Sequence, residues 1–401
     1  MPVAICLCCD AAKWAAPRRN KQGMSINPCG ALHQVALGGK VPAMDRLPLV
    51  FASLVVLGGC SSSTPSRVGL EEDAGTVKAD GAVPVLPDGA PLPEDAGVLP
   101  PPPTDGGSLA PFAYRPYPSP SENPGGLVAF AEAPRGNPSR AVVVILHGCT
   151  QRASDLASAG WSDAAAAYGF AAVYPEQVAT NDANACFRWY TKDHASRGKG
   201  ELASIAALAL DAKARLGADR VFVSGLSAGA AMASALLASY PEIFEAASLH
   251  AGIPFGCAAN AFEGATCASA PKSLTAKQWG DLVRGAAPPS ANVRVQVWHG
   301  DADPVVKPGN ADGLVAQWTD VAGIDATPDA EAREGFVTKR SFHDGSGKTR
   351  VELDLVRGFG HGISISTQGS DAPCGRAGPY AADAGSCAAA SAARFFGLEK
   401  L

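Results

Sequence analysis

From residue 141 onward, apolar runs of strand length alternate with Ala/Leu-rich stretches of helical length. AVVVIL (141–146), FAAVYP (170–175), RVFVSG (220–225), RVQVWHG (294–300) and VELDLVRG (351–358) read as strands. Between them, Asp155 to Tyr168, Glu201 to Leu216 and Ala230 to Tyr240 read as helices. Runs that are apolar on both faces, joined by helices, imply a mostly parallel sheet covered on both sides. The expected fold is therefore α/β, doubly wound, with helices on both faces and no large lid domain. Of the 401 residues, 47% are hydrophobic and 18% charged, enough to bury such a core. The formal net charge is −5 and no long basic run occurs, which argues against a nucleic-acid partner.

The part before the domain reads as an address and a tether. MDRLPLVFASLVVLGGC (44–60) has a short charged start and then an apolar segment too short to span a bilayer. That is the layout of an export signal. Leu57-Gly58-Gly59-Cys60 resembles the lipobox of bacterial lipoproteins, in which the cysteine is acylated. A signal from Met44 leaves residues 1–43 as an upstream extension without structure. Residues 61–112 hold eight acidic and two basic residues within a Pro/Ala/Gly/Asp-rich stretch. Such a stretch cannot bury enough surface to order itself, and its prolines make it a semi-extended spacer. The expectation is a globular domain at 113–401, outside the cytoplasm or at the cell envelope, held through Cys60 to a membrane, the outer one by preference.

Cysteine usage agrees with export. Of eleven cysteines, six fall within 113–401: Cys149, Cys186, Cys257, Cys267, Cys374 and Cys387. No CxxC spacing occurs among them, so no zinc or other metal site is expected. Nearness pairs Cys257 with Cys267 and Cys374 with Cys387. Elimination then leaves Cys149 with Cys186.

The chemistry lies at strand ends. Gly225-Leu226-Ser227-Ala228-Gly229 is a GxSxG pentapeptide between a β-rich run and a helix-forming run. Its glycines let strand and helix pass closely around a strained turn that exposes the serine. A serine nucleophile needs a base, and the base an orienting acid. Downstream, HGDADPVV follows a strand and carries Asp301 and Asp303; GFGHG follows another and carries His361. His343 lies in HDGSG, a hairpin turn, and His299 precedes the acid. Ala228 offers one backbone N–H to an oxyanion. The HGCT turn after the 141–146 strand offers another, from Cys149 or Thr150.

Six motifs occur in order: LHGCTQ (146–151), YPEQ (174–177), CFRWY (186–190), GLSAGAAM (225–232), HGDADPVV (299–306) and GFGHG (358–362). With the tail CGRAGPYAADAGSC, they resemble the extracellular polyhydroxybutyrate (PHB) depolymerase-like esterases, which are related to feruloyl and acetylxylan esterases. The resemblance covers nearly all of 113–401. It implies an α/β-hydrolase fold and a serine esterase that needs no metal or organic cofactor. It implies Ser227 as nucleophile, Asp303 as acid, His361 as base, Cys149 and Ala228 as oxyanion donors, and Trp189 lining the cleft. The expected substrate is a hydroxyalkanoate polyester or its oligomers. The alternatives are a plant cell-wall ester (feruloyl or acetyl-xylan), a peptide bond, or, with a dead triad, no reaction in a surface-binding lipoprotein. Nothing in the sequence fixes the oligomeric state.

Overall fold

The computed structural model describes residues 111–289, 292–368 and 374–401. The expected upstream extension, the signal with Cys60 and all but the end of the tether lie outside the described residues. The first strand begins at Phe112, one residue before the expected domain start.

The main sheet has ten strands: β1 (Phe112–Pro116), β2 (Val128–Ala133), β3 (Ala141–Leu146), β4 (Ala171–Glu176), β5 (Arg220–Leu226), β6 (Ala246–His250), β7 (Arg294–Gly300), β8 (Ala330–Glu334), β9 (Val337–His343) and β10 (Thr349–Val356). Their spatial order is β1-β2-β4-β3-β5-β6-β7-β10-β9-β8. The six central strands, β4 to β10 in that order, run parallel. β2 and β1 extend one edge antiparallel, and β9 and β8 the other. This is the doubly wound, mostly parallel sheet of an α/β-hydrolase.

Why these residues make this sheet is visible in β3. All six of its residues are fully buried. Val142, Val144 and Leu146 point to one face, and Ala141, Val143 and Ile145 to the other, the period of two that a strand imposes. The first face packs under helices Gly200–Arg215, Ala228–Ser239 and Gly309–Ala322. The second packs against helix Ser162–Tyr168 and the C-terminal helix Ala388–Phe395. Every residue of Ala228–Ser239 is buried, and seven of the twelve are Ala or Gly, as a helix pressed directly onto a sheet requires.

One expected helix is broken. Asp155 to Tyr168 reads as a single helix in the sequence, but the chain forms Ala153–Leu156, a π-helical turn Ala157–Trp161, and Ser162–Tyr168. The kink is at Gly160, at φ 104°. A Cβ there would lie 2.8 Å from Cys374 Sγ. The 374–387 loop packs into this kink, with Arg376 N–H donating to Ser158 O (2.9 Å) and Gly375 N–H to Asp163 Oδ2 (2.7 Å). The broken helix thus seats a loop that reaches the carboxyl ends of the strands. A small parallel pair, β11 (Ile363–Ile365) with β12 (Ala381–Asp383), fixes that loop beside the segment after β10.

Disulfides join Cys149 to Cys186, Cys257 to Cys267, and Cys374 to Cys387. Among the described residues, no helix is long and apolar enough to cross a membrane.

Candidate active site

Ser227 sits between β5 and helix Ala228–Ser239 at φ 57°, ψ −119°, a backbone conformation that costs a non-glycine residue about 1–3 kcal/mol. Its neighbours explain why the turn must be this tight. A Cβ on Gly225 would lie 2.4 Å from the Gly229 carbonyl group, and one on Gly229 would lie 2.3 Å from Leu146 O. Both glycines are therefore steric requirements: the first lets the helix start fold back on β5, and the second lets it touch the end of β3. Ser227 N–H donates to His250 O at the end of β6 (2.9 Å), which fixes the elbow to the sheet. The serine is half-buried.

The turn after β3 lies directly against this elbow. A Cβ on Gly148 would be 3.3 Å from Ser227 Cβ. Gly148 N–H donates to Gln151 Oε1 (2.8 Å), and Thr150, at φ 63°, donates its N–H to Asn184 O (2.6 Å). Thr150 is thereby occupied. Among the described residues the Cys149 and Ala228 amides have no hydrogen-bond partner. Two free amides at the mouth of a serine elbow can receive a developing oxyanion.

The turn is held from below by a buried polar network. Gln177 N–H donates to His147 Nε2 (3.0 Å), which places the imidazole proton on Nδ1, 2.7 Å from Gly148 O. Burial pushes the His147 pKa down to about 4, so the ring is neutral. Gln177 Nε2 donates to Glu201 Oε1 (2.6 Å), a fully buried carboxylate. Arg188 binds the same carboxylate through its backbone N–H (2.7 Å) and its Nε (2.6 Å). The LHGCTQ, YPEQ and CFRWY segments are thus one structure, closed by the Cys149–Cys186 bond. Trp189 follows Arg188. It is half-buried, edge-on to Tyr190 at 5.6 Å, and packs against the small cluster that contains Ala231 and Val306.

On the other side, two loops are laced together. Asp301 N–H donates to Val356 O (3.1 Å) and Ala302 N–H to Phe359 O (3.1 Å). A Cβ on Gly300 would lie 2.2 Å from Phe359 O. This lacing brings Asp303, after β7, to His361, after β10: His361 Nδ1 lies 2.8 Å from Asp303 Oδ2. Asp303 is buried, and its Oδ1 accepts the Val305 and Val306 amides at 2.8 and 2.9 Å. Burial pushes its carboxyl upward, but the His361 contact and the two amides outweigh that and hold its pKa below the ordinary carboxylate value. Asp301 is exposed and accepts Gly358 N–H at 2.6 Å, a loop-fixing role. His299, which precedes the acid, supports the acid loop by donating from Nε2 to Val306 O (2.8 Å).

Ser227, Asp303 and His361 thus follow β5, β7 and β10 at the carboxyl ends of the strands, where open α/β sheets hold their ligands. Sequence reading missed Gln151, the Gln177–Glu201 link and Tyr380. None carries a chemical signature: Gln151 and the Gln177–Glu201 pair tie separate segments together, and the Tyr380 ring stands edge-on to that of His361. Among the described residues, no group of three or more His, Cys, Asp or Glu side chains is placed to hold a metal ion.

The fold is that of the α/β-hydrolases, with an elbow serine, a histidine and a buried carboxylate at the carboxyl ends of its strands. The family profile described as esterase PHB depolymerase matches residues 133–339, a span that includes Ser227 and Asp303. The chain belongs to this family. It is 37% identical over 281 residues to poly(3-hydroxyalkanoate) depolymerase C of Paucimonas lemoignei, covering 69% of this chain and 68% of that one. Feruloyl esterase B of Thermothelomyces thermophilus is 31% identical over 242 residues, covering 57% of this chain and 80% of the relative. Among solved structures, acetyl xylan esterase from Aspergillus awamori superposes with a TM-score of 0.56 at 24% identity, covering 62% of this chain and 94% of that one. That likeness concerns the fold.

Proposed function

We propose that the protein hydrolyses carboxylic esters through an acyl-enzyme on Ser227, with His361 as base and Asp303 as the acid that orients it. One observation carries the reading: a buried carboxylate, fixed by two amides on one oxygen, meets His361 Nδ1 with the other at 2.8 Å. That arrangement keeps the Nδ1 proton facing Asp303 and leaves Nε2 as the acceptor for the serine proton. Ser227 Oγ attacks the ester carbonyl carbon and its proton passes to His361 Nε2. The oxyanion is stabilised by the Cys149 and Ala228 amides. Collapse of the tetrahedral intermediate expels the alcohol, which takes the proton from His361. Water then attacks the acyl carbon by the same route and frees Ser227.

For the substrate we favour hydroxyalkanoate polyester or its oligomers, supported by the 37% identity to a poly(3-hydroxyalkanoate) depolymerase. Trp189 would lie along the apolar stretches of that chain. The second reading, a feruloyl or acetyl-xylan ester, draws on the feruloyl esterase relative, of which 80% is covered. The three disulfides support an oxidising location, and the resemblance of Leu57-Gly58-Gly59-Cys60 to a lipobox supports a lipid anchor at the cell envelope.

The test is one panel with the purified protein: polyhydroxybutyrate film, soluble 3-hydroxybutyrate oligomers, methyl ferulate and acetylated xylan. The expected result is the highest kcat/KM on the hydroxybutyrate oligomers. A preference for methyl ferulate or acetylated xylan would transfer the assignment to the second reading.

A further inference from the structure

The loop seated in the broken helix carries a residue that no catalytic motif singles out. Gly378, Pro379, Tyr380 and Ala381 form a turn, closed by Ala381 N–H to Gly378 O at 3.1 Å. Proline at its second position and a positive φ at its third is the pattern of a type II turn, which ordinarily places glycine third. Here the third residue is Tyr380, at φ 58°. The chain therefore carries the strain of a bulky side chain at a position that glycine would fill more easily.

The ring is not spent on the core. Tyr380 is 43% exposed, so burial does not explain why a tyrosine stands there. What it touches is His361, edge to face, with ring centroids 5.8 Å apart and planes at 81°. Its backbone is fixed against the same segment. Ile363 N–H donates to Tyr380 O (2.8 Å), and a Cβ on Gly362 would lie 2.7 Å from that oxygen. The preceding carbonyl, Pro379 O, accepts from Gln151 Nε2 at 3.3 Å, and Gln151 Oε1 in turn holds Gly148 N–H at 2.8 Å. One strained turn thus touches both the imidazole and the segment bearing the Cys149 amide.

We propose that Tyr380 is a positioning residue for His361: its ring, held by the strained turn, fixes the plane of the imidazole that shuttles the proton. Asp303 fixes one edge of the His361 ring through Nδ1 but leaves rotation about that contact open. The Tyr380 edge closes that freedom from the side. This rests on the catalytic role proposed above for Ser227 and His361. The phenol oxygen has no part in it, so phenylalanine should serve as well.

The experiment compares Tyr380→Phe and Tyr380→Gly with the unmodified protein on a soluble hydroxybutyrate ester, with Ser227→Ala in the same series. Tyr380→Phe should keep kcat within about twofold. Tyr380→Gly relieves the backbone strain and should unfold within about 3 °C of the parent, yet lose about tenfold or more in kcat with KM changed by less than about threefold. Labelling of Ser227 by a phosphonate ester should slow in parallel in the glycine variant. Full kcat in Tyr380→Gly, a loss expressed in KM alone, or an equal loss in Tyr380→Phe would each overturn the proposal. Activity retained by Ser227→Ala would instead overturn the underlying catalytic reading, so the two failures are distinguishable.

Discussion

Replacing Asp303 by asparagine changes one atom and should nearly abolish turnover. Oδ1 accepts the amides of Val305 and Val306 at 2.8 and 2.9 Å. An asparagine must keep its carbonyl oxygen there, because an NH2 group facing two N–H donors would leave buried donors unpaired. Its NH2 then occupies the Oδ2 position, 2.8 Å from His361 Nδ1. Nδ1 must accept, so the ring proton moves to Nε2, where the serine proton has to arrive. The ring keeps its place in the wrong tautomer. The analogous substitution in a well-studied serine protease costs about 10⁴ in kcat, equivalent to about 5.5 kcal/mol of barrier at 1.36 kcal/mol per tenfold. We expect that order here. Asp301→Asn is the control: its carbonyl oxygen can still accept Gly358 N–H, so kcat should stay within about threefold. Initial rates on a soluble short-chain ester, with circular dichroism to confirm folding, give both numbers. Turnover of Asp303→Asn within about tenfold of the parent, or equal losses in the two variants, would refute the tautomer argument.

Three further outcomes follow from the geometry. Trp189→Ala should raise KM by about fivefold or more with little change in kcat; an unchanged KM with a lowered Tm would mean that Trp189 only packs. Replacing both Cys149 and Cys186 by serine opens a cross-link between residues 37 apart in sequence, worth about 4 kcal/mol on the chain-entropy argument. It should also lower kcat, since Cys149 carries a free amide; lost stability with intact kcat would show that packing alone holds the turn. Burial holds His147 at about 4 and His250 at about 3, below the ordinary value of about 6.5. The unfolded chain therefore binds more protons, and stability falls as pH drops from about 6.5 toward 4. At pH 5 these two groups should take up close to two protons on unfolding. His250→Gln should lower that uptake by about one, and an unchanged slope of stability against pH would contradict the burial argument.

How much of this was legible in the sequence depended on burial. β3, β5 and β7 lie in the parallel centre, where both faces are covered, so their apolar runs stand out and their predicted limits fall within a residue of the observed ones. β8, the edge strand, reads AEARE with every residue exposed, and its neighbour β9 carries Lys339 and Arg340; neither offers an apolar run to find. β6, AASLH, is short, and three of its five residues are alanine or serine. The kink at Gly160 was hidden because its cause, the Cys374 loop, lies more than two hundred residues away in the chain. Ser227, Asp303 and His361 were legible because their chemistry needs particular residue types at strand ends. Gln151 was not, because a glutamine that ties two backbones has no signature until the fold brings those backbones together. Tyr380 was hidden for the same reason: its contact with His361 exists only once the fold brings the two rings together.

Everything proposed for the chemistry passes through a covalent intermediate on Ser227. Rapid quenching of the protein with a slowly deacylated ester, followed by intact mass and peptide mapping, tests it directly. The expected result is one acyl group per chain, located on the peptide that carries Ser227 and missing in Ser227→Ala, which should also lose nearly all turnover. An acyl group on another residue, or ester turnover that survives in Ser227→Ala above about a tenth of the parent rate, would contradict it.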